Sequence, residues 1–65
     1  MNLEDLETER EINRVISKVS KLVSKRDSKY FNKDLETTYF NNPEEKRDYL
    51  ISRLGIRAYK RLSRA

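Results

Sequence analysis

The charges of this 65-residue chain fall in four blocks of alternating sign, and no other feature constrains its fold as much. Residues 1–12 carry five acids and one base, and residues 13–33 carry seven bases and one acid. Residues 34–48 carry five acids and two bases, and residues 49–65 carry five bases and no acid. Acid followed by base, twice over, is the order that suits two helices. Negative side chains lie near exposed N–H groups and positive ones near exposed carbonyls. The signs nearly cancel, to +4, although 40% of residues are charged. Leu, Ile, Val and Phe supply sixteen residues, about 25% of the chain and above the ~20% below which chains tend to stay disordered. An all-α fold is expected.

The apolar spacing places the helices. Ile12, Val15, Ile16, Val19, Leu22, Val23 and Tyr30 fall within an arc of about 120° at helical periodicity. That is a bundle-type stripe, wider than a coiled-coil seam. With Asn2 as cap and Glu4, Asp5 and Glu7 in the first turns, a first helix is expected over 3–29. Asn42-Pro43-Glu44-Glu45 is the clearest local signal. Asn caps, Pro at the first helical position gives up no needed N–H, and Glu45 completes a capping-box pattern. A second helix is expected over 43–64, with Leu50, Ile51, Leu54, Ala58 and Leu62 on one face. Residues 30–42 are expected to form a connector, because Thr37 and Thr38 disfavour a long helix there. The pairs Tyr30-Phe31 and Tyr39-Phe40 would plug the end of the hairpin.

Gly55 leaves two readings open. Inside a helix it costs about 1 kcal/mol relative to Ala and would admit a close neighbour; otherwise the helix breaks there. A single 65-residue helical hairpin has a thin core for its size. Two such hairpins are therefore expected to pair as a homodimeric four-helix bundle, with Ile12, Val15, Val19, Leu22, Leu50, Leu54 and Leu62 at the interface. Its layout would resemble that of small plasmid RNA-binding helical hairpins.

Composition removes most chemistries. Without Cys or His, no disulfide, zinc finger, thiol nucleophile or imidazole base can be built. One Gly cannot form a phosphate-cradling loop. The carboxylate pair Glu44-Glu45 stands at a helix start with no sign of a pocket. No enzyme, cofactor or metal site is expected. No apolar run approaches the ~20 residues of a membrane span, and the absence of Cys fits the cytoplasm.

Binding is the remaining function. Residues 49–65 hold Arg53, Arg57, Lys60, Arg61 and Arg64, and the planar fork of Arg suits phosphate. Arg53, Arg57 and Arg61 repeat at four-residue spacing, where like charges repel unless an anion answers them. Cations near a helix C-terminus also complement its dipole, but only over the last turn, which leaves Arg53 and Arg57 unexplained. On the first helix, Lys18, Lys21 and Lys25 stand opposite the apolar stripe, a face that serves solubility or an anionic partner.

Leu54-Gly55-Ile56 resembles the turn of a helix-turn-helix over about twenty residues, with 43–54 as first element and 57–65 as recognition helix. Ile51 and Arg57 depart from that pattern, which favours a small residue and a capping Ser or Thr there. LGIRAYKRLSRA (54–65) is similar to the opening of the first helix in the C-terminal domain of the RNA polymerase alpha subunit. That likeness covers twelve residues and implies that Arg57 contacts DNA.

The expected function is therefore a small nucleic-acid-binding accessory or regulatory protein, with DNA or RNA as partner. The alternative is an adaptor or inhibitor that docks a helical face on a larger protein with an acidic surface. It would use apolar residues such as Leu3, Leu6, Tyr49, Ile56 and Tyr59. A membrane-surface role for 43–65 ranks last, because Glu44, Glu45 and Asp48 oppose it.

Overall fold

The computed structural model describes residues 3–64; the proposed cap Asn2 lies outside them. Four helices follow one another: α1 (Leu3–Leu22), α2 (Lys25–Thr37), α3 (Pro43–Leu54) and α4 (Ile56–Ser63), with no strand among the described residues. The all-α expectation holds. The expected pair of long helices does not, because each is divided.

The first division falls at Val23-Ser24, inside the stretch expected to be one helix. Ser24 adopts extended backbone and its Oγ accepts from the Asp27 N–H at 3.2 Å. This Ser-Lys-Arg-Asp cap starts a separate helix, α2. Tyr30, expected on the inner stripe, therefore leaves it and is 63% exposed; Leu22, expected there too, ends α1 and is 73% exposed. The expected connector over 30–42 is also overturned, since α2 runs to Thr37. Its threonines finish the helix instead of breaking it. Thr37 Oγ1 donates to the Lys33 carbonyl at 3.0 Å and Thr38 Oγ1 to the Asp34 carbonyl at 2.7 Å, satisfying last-turn carbonyls.

The second division is Gly55, with φ 89° and ψ 146°. That region belongs almost entirely to Gly, so of the two readings left open the break is the one observed. Gly55 N–H closes α3 on the Ile51 carbonyl at 2.7 Å, and its own carbonyl accepts from Tyr59 N–H at 3.0 Å. The break changes the helical phase. Ala58, expected inside, is exposed, and Tyr59, expected outside, is 3% exposed.

The start of α3 matches the sequence pattern with one shift. Asn42 Oδ1 accepts from Glu45 N–H at 2.9 Å. The Glu45 carboxylate reaches back one residue further than a capping box requires, to the backbone N–H and side-chain amide of Asn41 at 2.9 and 3.1 Å.

The core draws on every helix: Ile12, Val15 and Val19 from α1, Leu35 from α2, Leu50 from α3 and Tyr59 from α4. α1 is the central element and packs on the other three. Ile12, Val15, Val19 and Leu50, assigned from sequence to a dimer interface, are thus buried within one chain. Leu54 and Leu62 are half-buried against the same core, as are Phe31 and Phe40. Tyr39, expected to plug, is 83% exposed. No helix among the described residues is long and apolar enough to cross a membrane.

Candidate nucleic-acid interface

α4 is short, and three links to α1 hold it. Tyr59 Oη donates to Glu11 Oε1 at 2.7 Å, Arg14 Nη1 to the Ser63 carbonyl at 2.8 Å and Lys18 Nζ to the Arg64 carbonyl at 2.6 Å. Partners advance together along both helices, Glu11, Arg14, Lys18 against Tyr59, Ser63, Arg64. The two cations stand at the negative end of the α4 dipole and take carbonyls that the helix cannot satisfy itself. Ser63 Oγ satisfies a third, on Lys60, at 3.0 Å. Burial and the hydrogen bond to Glu11 push the Tyr59 phenol up from its ordinary value, against the opposing charge of Arg47.

With Tyr59, Leu62 and Ser63 turned inward, the outer side of α4 is left to Arg57, Lys60 and Arg61, followed by Arg64 at the C-cap. All four are exposed, and none forms a salt bridge with a carboxylate among the described residues. Through the Lys18 link, the α1 cations adjoin this group. Lys18, Lys21, Leu22 and Leu62 line an open, almost wholly apolar cleft of about 300 Å³.

The remaining sequence-derived cations are placed differently. Lys25 is exposed at the start of α2, beyond the Ser24 cap. Arg53 lies 3.9 Å from Asp34 and 5.9 Å from the Tyr49 ring centroid, so its neighbours are on α2 and α3. Asp34 also accepts from Tyr49 Oη, and this hydrogen bond raises the Tyr49 phenol above its ordinary value. Phe40 meets the Tyr49 ring edge-on at 5.5 Å. Asp34, Tyr49 and Arg53 together fasten α2 to α3.

Sequence reasoning did not find the roles of Arg14, Glu11 and Tyr59. A signal existed: once the helical phase restarts at Gly55, Tyr59, Leu62 and Ser63 stand at i, i+3 and i+4. No group of three Asp or Glu able to hold a metal ion occurs among the described residues. No protein-family model, curated protein or solved structure matches this chain.

Proposed function

We propose that this chain is a small, non-enzymatic accessory or regulatory protein that binds nucleic acid, and that it works as a self-associated pair. The reading rests chiefly on the outer side of α4, where Arg57, Lys60, Arg61 and Arg64 stand exposed without a salt-bridge partner among the described residues. Four cations on little more than two helical turns repel one another, and a row of phosphates removes that repulsion while releasing counterions. Lys21 extends the row onto α1. Arg53, already engaged with Asp34, contributes less. A two-fold pair would present two such rows.

The test is fluorescence anisotropy with labelled duplex DNA, single-stranded DNA and RNA from 50 mM salt upward. Affinity should fall with salt at a log–log slope of about −0.9 per phosphate neutralised on duplex. Arg57→Ala and Arg61→Ala should each make that slope shallower by about one unit while leaving helical circular dichroism unchanged. Absence of binding to all three probes at tens of micromolar protein, well within the range of non-specific binding, sinks the reading.

A further inference from the structure

The charges of α2 run against its own stability. Starting the helix after Ser24 puts Lys25 and Arg26 in its first turn beside Asp27, and Asp34 and Glu36 near its end, with no base in the last turn. Cations at a helix start and acids at its end both oppose the macrodipole, so helix stability does not account for them. At helical periodicity Lys25, Arg26, Lys29 and Lys33 share an arc of about 100°, opposite Phe31, which packs on the core. All four are exposed, and none forms a salt bridge among the described residues. Lys25, Lys29 and Lys33 follow at four-residue spacing, where like charges repel. Glu36, in the last turn, is the one acid in that arc.

Tyr30 borders these cations. It is the one aromatic side chain exposed on a helix among the described residues, and the Arg26 guanidinium lies 6.0 Å from its ring centroid. Its other flank opens on a cleft of about 290 Å³ walled by Val23, Phe31 and Leu54, with Asp27 and Arg53 at its edge. A ring left in water beside four unanswered cations fits a ligand that brings both anions and flat faces. Single-stranded nucleic acid brings both, because its bases are free to leave one another and stack on an aromatic side chain. Duplex bases are already stacked, and an acidic polypeptide answers the charge alone.

We propose that α2 is a binding site for single-stranded nucleic acid, with phosphates along Lys25, Lys29 and Lys33 and a base stacked on Tyr30 beside Arg26. The proposal rests on the nucleic-acid reading given above and deepens it, naming the strand form and a second site outside the α4 row.

Fluorescence anisotropy with the intact chain, a labelled oligothymidylate of about 16 nucleotides and a duplex of equal length tests it. Tyr30→Ala should weaken oligothymidylate binding about fivefold to a hundredfold, the range for loss of one stacked base, and leave duplex binding and the helical spectrum unchanged. Tyr30→Phe should bind as wild type does. Lys29→Gln should make the salt slope on oligothymidylate shallower by about 0.7. Equal binding by the Ala variant and wild type overturns the proposal, and so does an equal loss on both probes. Displacement of oligothymidylate by polyglutamate at matched charge also overturns it, since charge alone would then be read. A wild-type chain that binds duplex and not oligothymidylate overturns this site and leaves the α4 row standing; one that binds neither removes both.

Discussion

Lys18 and Arg64, forty-six positions apart, meet at 2.6 Å, the ammonium of one on the backbone carbonyl of the other. A lysine that reads as part of a solvated face is thus a clamp on the last turn of α4. With Arg14 on the neighbouring carbonyl of Ser63, it supplies the ending that an eight-residue helix cannot supply for itself, since helices this short are marginal alone. The candidate interface consequently depends on α1 for its shape as well as for its added charge.

Lys18→Met should therefore loosen the end of α4 while retaining the aliphatic stem. The expected loss is about 0.3–1 kcal/mol, the range for a cation at a helix C-terminus. Adding salt should shrink the difference from wild type. Urea denaturation at low and high ionic strength measures both. Amide exchange at Leu62 and Ser63 should quicken before the core does.

Gly55→Ala separates a broken helix from a continuous one. A Cβ at this position meets nothing within 4 Å, so crowding plays no part and the backbone alone decides. At φ 89° the substitution should cost about 1–3 kcal/mol, read as a lower urea midpoint. A stabilised variant would mean that α3 and α4 run on as one helix.

The Tyr59 phenol makes stability sensitive to base. Its folded-state pKa is raised above the ordinary 10.0, so the protonated form is favoured by folding. That contribution is complete below pH 10 and is lost as pH rises beyond it. Tyr49, raised in the same direction by Asp34, adds to the trend. Tyr59→Phe should cost about 0.5–1.5 kcal/mol at neutral pH through loss of the Glu11 hydrogen bond. It should also flatten the alkaline limb of a plot of stability against pH.

Acid acts on the start of α3. The hydrogen bonds from Asn41 hold Glu45 below its ordinary 4.5, so the ionised carboxylate is the form that folding favours. Its contribution is present above pH 4.5 and disappears as pH falls through the lowered value. Glu45→Gln should remove that part of the acid dependence. Asn42→Ala should cost about 0.5–2 kcal/mol at every pH, because the amide cap does not titrate. Thermal melts of both variants at pH 3 and pH 7 distinguish the carboxylate from the cap.

The helical class and the start of α3 are legible in the chain, because period, capping residues and charge order act over a few residues. Arg57, Lys60, Arg61 and Arg64 are legible as a cationic row for the same reason. The end of α1 is not. Val19, Val23 and Tyr30 continue a helical period across Ser24, and the period says nothing of a cap that interrupts it. Thr37 and Thr38 read as breakers because propensity does not show where a hydroxyl will find a carbonyl.

The sequence by itself determined that the chain is helical, where α3 begins, and that residues 49–65 lack acids. Only the tertiary structure decided which way each face points. Breaks at Ser24 and Gly55 reset the helical phase, so Tyr59 went inside and Tyr30 outside, while Leu22 at the end of α1 was left uncovered. Those choices come from packing among helices distant in sequence, where a residue's side of the helix is set by what it meets and not by its neighbours along the chain. The clamp of Arg14 and Lys18 on α4 belongs to that second category, since each partner is visible in the sequence and their meeting is not.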